Sequence, residues 1–181
     1  MEGPVSKEDA LAATRGWLER DVIGLNLCPF AAAVHDAGLI RYVVSDAESP
    51  VALRDHLIEE ILFLNAADAT QIDTTLLIHP RVLGDFLEFN DFLDVAEDTL
   101  RQLGLDGVIQ IASFHPDYQF AETTPEDVTN RTNRSPYPTL HLLRESSVER
   151  AVAEHPDVSE ISRRNIETMR RLGRLQPPPA G

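Results

Sequence analysis

The sequence predicts a single compact α/β domain, with a sheet of about four strands, mostly parallel or mixed, flanked by amphipathic helices. Short β-branched or apolar runs such as "RYVVS", "TTLLI" and "GVIQI" alternate with segments whose apolar residues recur every three or four positions. The runs are too uniformly apolar for a sheet with one wet face, so helices are expected on both sides. Right-handed crossovers would make the first three strands largely parallel and leave the fourth free to run either way.

Each element has its own signal. Ser6 can cap a helix running to about Arg20, with Leu11, Trp17 and Leu18 on its apolar side. Pro29, the following alanines and Gly38 mark a short second helix, with Cys28 at or beside its N-cap. Residues 40–45 read as a strand. Ser49-Pro50 opens a helix with Leu53, Leu57, Ile61 and Leu64 as its stripe, and residues 74–79 form a second strand. Phe86, Phe89, Leu93, Ala96, Leu100 and Leu103 line a long helix that stops at Gly104, and a third strand spans 107–115. The polar stretch 116–138 has little periodicity and the length of a lid or binding loop. Residues 139–144 are a fourth strand. Ser146-x-x-Glu149 is a capping box for a short helix closed by Pro156, and Asp157-x-x-Glu160 starts a last helix with Gly173 past its end. The domain is expected to cover 1–174, with a disordered tail at 175–181.

Charge and cysteine usage narrow the function. Thirty acids against sixteen bases give a net charge of −14, which argues against non-specific binding to nucleic acid or anionic membrane. One cysteine excludes an intrachain disulfide, and no apolar run approaches the roughly 20 residues of a membrane span. A cytoplasmic protein acting on a small molecule is the expectation. No nucleotide-cofactor motif is seen, and the sequence leaves the oligomeric state open.

Two strand-like runs end in the same pair, His79-Pro80 and His115-Pro116. Strand C-termini of a parallel sheet share one edge, where ligands bind, so both imidazoles should emerge there. His141, on the fourth strand, is a third candidate. Taken singly, His79 and His115 are also readable as polar punctuation of a strand end, and His141 as a core histidine satisfied by backbone. Together His79, His115 and His141, with or without Cys28, form a candidate set for zinc, iron or copper in a hydrolase or oxidoreductase. His115-x-Asp117 with His141 would be a two-histidine, one-carboxylate variant. Without metal, Cys28 could act as nucleophile with a histidine base oriented by Asp117. Asp117 and Tyr118 are candidates for proton transfer. In the long loop Arg134, with Asn133 and Arg131, could grip an anionic substrate. A non-catalytic module binding a small ligand or a protein is the alternative from another class.

The segments "VIGLNLCPFA", "RYVVSDA", "IDTTLLIHP", "NDFLDVAE", "ASFHPDYQFA" and "NRSPYPTLHLLRE" resemble the bacterial Domain of Unknown Function 1415 (DUF1415) family across roughly Trp17 to Leu172. The resemblance implies a single-domain bacterial protein, and the family name discloses no activity.

Overall fold

The structure, a computed structural model, describes residues 5–154 and 157–175. His155, Pro156 and residues 176–181 of the expected tail lie outside the described residues.

The sheet contains β1 (Ile40–Val44), β2 (Thr74–Ile78), β3 (Ile109–Phe114) and β4 (Thr139–Arg144) in the order β1-β2-β4-β3. β1 and β2 are parallel, while β4 runs antiparallel to both β2 and β3. The sheet is therefore mixed. β1, β2 and β3 still point the same way, so their C-termini share an edge as expected, but β4 is wedged between β2 and β3.

Alternation along each strand divides the sheet into two faces. Leu77, Leu140 and Leu142 face α3 (Pro50–Ala66) and α4 (Phe86–Gln102), where Leu53, Leu57, Ile61, Leu64, Phe89, Phe92 and Leu100 complete the main core. Burying one such leucine or phenylalanine stabilises by roughly 1.5–3 kcal/mol. Both helices begin on side-chain caps: Ser49 Oγ accepts from Ala52 N at 3.2 Å, and Asp85 accepts from Leu87 N and Glu88 N. Ile40, Tyr42 and Phe114 face the other way, against α1 (Lys7–Trp17), the turn that follows it, and α2 (Ala31–Asp36).

Several local expectations are corrected. The first α-helix ends at Trp17 and passes into a π-helical segment, Leu18–Ile23. Gly24 N bonds to Glu19 O at 3.0 Å and Leu27 N to Val22 O at 2.9 Å, both spanning five residues. The wider turn brings Trp17, Leu18 and Val22 onto one buried side. Residues 128–133 are not structureless but form a 3₁₀ helix, capped by Asp127 on Thr129 N. The capping box at Ser146 is not used, because α5 (Glu145–Glu154) continues directly from β4. Gly173 lies inside α6 (Val158–Leu175), where a Cβ would stand 2.8 Å from Val128 Cγ1; close packing accounts for that glycine.

Candidate functional site

The two His-Pro pairs do converge, and they brace a loop. His79 Nδ1 lies 3.0 Å from Val82 O and His115 Nε2 lies 3.1 Å from Leu83 O, so consecutive carbonyls each receive an imidazole N–H. His115 Nδ1 in turn accepts from Asp117 N at 3.0 Å, which fixes its tautomer. Leu83 carries φ +59°, a left-handed backbone, and these two bonds hold it there. Both rings are fully buried against Phe89, with centroids 5.7 and 5.0 Å away, and Phe86 also packs on His115. Burial pushes the His79 pKa down to about 4 and lowers that of His115. His79 Nε2 is buried without a hydrogen-bond partner among the described residues.

His141 belongs to the opposite face. It pairs with Leu76 on β2 and Ala112 on β3, and directly paired residues point to the same side. His79 and His115 follow the other alternation, beneath α4. The sheet therefore separates the expected three-imidazole centre, and His141 cannot share an ion with the other two. The His115, Asp117, His141 variant fails for the same reason. Among the described residues no group of three or more His, Cys, Asp or Glu side chains is placed to hold a metal. On the His141 face Cys28 and His141 are only two donors, against the three protein ligands of a catalytic zinc site. The expected zinc, iron or copper thus lacks its donor set.

The other predicted residues divide as well. Asp117 is exposed, and Tyr118 packs its ring on Phe86 and Phe120; both follow His115 closely and neither belongs to the cavity linings that include Cys28. Arg134 is engaged by the loop itself: Nε donates to Tyr118 O at 3.0 Å and Nη2 to Pro125 O at 2.7 Å, so the Nε–Nη2 fork is taken up by backbone carbonyls. Arg131 is exposed and lines neither of the cavities described below. Asn133 donates to Ser113 O at 3.3 Å. Cys28 lies two residues before the N-cap of α2, which is Phe30, and not at the cap itself.

Cys28 and His141 do meet one space. A cavity of about 360 Å³ opens between the sheet and α1, α2 and α5, walled mainly by apolar side chains including Trp17, Leu18, Phe114 and Val148, with Cys28 and His141 among its lining. Phe114 packs between two other rings, edge-on to Trp17 at 5.1 Å and 6.0 Å from His141. The space exists because Ala31, Ala112 and Ala151 stand where larger residues would fill it. At the polar end Ser147 donates to Asp73 at 2.6 Å.

Proton counting fixes the imidazole. Thr74 Oγ has one proton, which it donates to Leu142 O at 2.6 Å, so His141 Nε2, also 2.6 Å from that oxygen, must be the N–H that donates to it. Nδ1 is then the acceptor nitrogen. It has no partner among the described residues and is not among the sealed polar atoms. Burial pushes the His141 pKa down to about 4, so the ring is neutral near pH 7.

The loop carrying Cys28 is clamped from outside. Asn26 sits at φ +52°, a conformation asparagine tolerates. Asn26 O accepts from Arg164, and Leu27 O accepts from Asn165 Nδ2 at 2.7 Å, both on α6. On the far side of this loop lies a second cavity of about 520 Å³, bounded by the 3₁₀ helix and α6. Val22, Cys28 and Phe114 line both spaces.

Two clusters escaped sequence reasoning. Arg41, on β1, donates to buried Glu60 at 2.8 and 3.1 Å and lies over the Phe63 ring at 4.1 Å. Beside it His56 Nδ1 lies 2.8 Å from Ser45 Oγ and its Nε2 3.8 Å from Glu60. The order serine, histidine, acid resembles a hydrolytic triad, but Ser45 is 1% exposed and Glu60 is held by Arg41, so the group braces β1 against α3. Arg144 donates to Ala67 O and Ile72 O, fastening the α3–β2 turn. No helix among the described residues is long and apolar enough to cross a membrane.

No curated protein and no solved structure matches the chain. The model of one protein family matches residues 9–177 of the 181, and the chain belongs to that family, described as "Protein of unknown function (DUF1415)".

Proposed function

We propose that this protein binds a small, mainly apolar molecule carrying a hydrogen-bond donor, in the cavity between the sheet and α1, α2 and α5. One observation carries the reading: a neutral imidazole with an acceptor nitrogen unpartnered among the described residues lines a mainly apolar space. About 360 Å³ falls within the range of small-molecule sites, which combine apolar walls with a few fixed polar groups. Thr74 locks the His141 tautomer, so Nδ1 presents a lone pair and no proton. An apolar ligand with a hydroxyl or N–H suits it, and an anion has no cationic partner there.

Calorimetric titration with 2-naphthol and its donor-less isostere 2-methoxynaphthalene tests this. A net hydrogen bond contributes about 0.5–1.5 kcal/mol. The preference for naphthol over the ether should therefore be about 3- to 10-fold greater in the wild type than in His141→Phe. Equal preference in the two proteins, or no binding of either compound, refutes the reading.

A second reading is favoured by Cys28 sharing this wall with His141: the thiol is a nucleophile and Nδ1 the base that receives its proton. In that case His141→Gln slows iodoacetamide alkylation of Cys28 at pH 7 several-fold. An unchanged rate excludes it.

A further inference from the structure

We infer that the ligand is an elongated neutral amphiphile whose apolar part fills the sheet-side cavity and whose hydroxylated head fills the adjoining cavity under α6, with Cys28 at the waist between them. This deepens the proposed binding reading and rests on it. The two spaces adjoin, because Val22, Cys28 and Phe114 belong to the lining of both. They differ in chemistry. The second is lined by Thr123, Thr129, Thr132, Asn133, Ser162 and Asn165 beside an equal number of others, Cys28 and apolar residues together, and none of its described lining side chains is charged.

The direction of the hydrogen bonds specifies the head group. Thr123 donates to Phe120 O, Thr129 to Asp127 Oδ1 and Thr132 to Thr129 O. Asn165 donates to Leu27 O and Asn133 to Ser113 O. With the threonine protons committed inside the protein, their oxygens offer lone pairs, while Ser162 Oγ and the second amide protons of Asn133 and Asn165 stay available as donors. A head rich in O–H donors satisfies them. A sulfate or carboxylate brings only acceptors, so it leaves the threonine lone pairs unmet and finds no cation among the described lining. The residues shared by the two linings, Val22, Cys28 and Phe114, are apolar apart from the thiol, as the neck of a chain-like molecule needs.

Octyl β-glucoside below its micelle concentration is the probe, with octyl sulfate as the charged counterpart. Binding is read from the fluorescence of Trp17, the only tryptophan and part of the sheet-side lining. Octyl glucoside should bind at least 10-fold more tightly than octyl sulfate and slow iodoacetamide labelling of Cys28 at least 5-fold at saturation. Ser162→Phe, which fills the second cavity from the exposed side of α6, should weaken glucoside binding at least 5-fold. Equal or tighter binding of octyl sulfate overturns the inference in the unaltered protein. So does full glucoside affinity in Ser162→Phe, or unprotected Cys28. If wild-type protein binds 2-naphthol while these arms fail, the two-cavity ligand is wrong and the sheet-side site stands. If 2-naphthol also fails to bind, the underlying reading falls with it.

Discussion

Mild acid should destabilise this fold through two particular histidines. His79 and His141 lie on opposite faces of the sheet, and burial takes each from an ordinary pKa of 6.5 to about 4. The folded pKa lies below the unfolded one, so the unfolded chain binds more protons as the pH falls. Stability is then complete above pH 6.5 and is lost progressively down to about pH 4. At pH 5 an unfolded histidine is almost wholly protonated and the folded one mostly neutral. The two values then give a loss of about 2 kcal/mol per histidine relative to pH 7.5, or about 4 kcal/mol for both. That is a large share of the 5–15 kcal/mol typical of a domain. Urea denaturation at the two pH values measures it. His79→Asn places an amide N–H where Nδ1 donates to Val82 O, and His141→Gln places one where Nε2 meets Thr74. Each variant should lower the pH 7.5 to pH 5 difference by about 2 kcal/mol, whatever its stability at neutral pH. Comparing variants with wild type also cancels the relief of charge repulsion that acidification brings to a chain of net charge −14. A His141→Gln protein with the full wild-type difference would refute the assignment of a neutral buried imidazole.

Two further perturbations follow from packing and pairing. A Cβ at Gly24 would collide with the Arg20 carbonyl oxygen, so Gly24→Ala should cost about 1–3 kcal/mol and lower Tm by about 3–10 °C in a thermal melt. Glu60→Gln keeps the shape but removes the charge facing Arg41; with Arg41 one-third exposed, the loss should be about 1–3 kcal/mol, measured by chemical denaturation.

Much of the scaffold was legible because it depends on local rules. Ser6, Ser49 and Asp157 cap the helices expected of them, and the α3 and α4 stripes supply the core. The π-helical segment was hidden, since a register of five residues leaves the same apolar stretch in the sequence as an α-turn. Gly173 read as a stop because a glycine packed against a distant valine and a glycine ending a helix look alike in one dimension. For the site, the convergence of His79 and His115 followed from strand direction, but their partners did not. Carbonyls 82 and 83 can be met only because the intervening chain folds back under both rings. His141 was misassigned to that edge because the face of a strand depends on its register with its neighbours, which a single sequence does not carry. The small residues Ala112 and Ala151, opposite large ones, were the available sign of a cavity on its side.

The placement of β4 has a consequence for biosynthesis. The strand that joins the two halves of the sheet, residues 139–144, leaves the ribosome after every other strand. Until then β2 and β3 stand about 9–10 Å apart, two strand spacings, with facing edges unsatisfied. A nascent chain shorter than this holds α1 to α4 and the β1–β2 pair, but it cannot close the sheet. Closure of the sheet therefore waits for this strand, and a polypeptide halted before Thr139 leaves the β2 and β3 edges that β4 would pair open to any neighbouring strand.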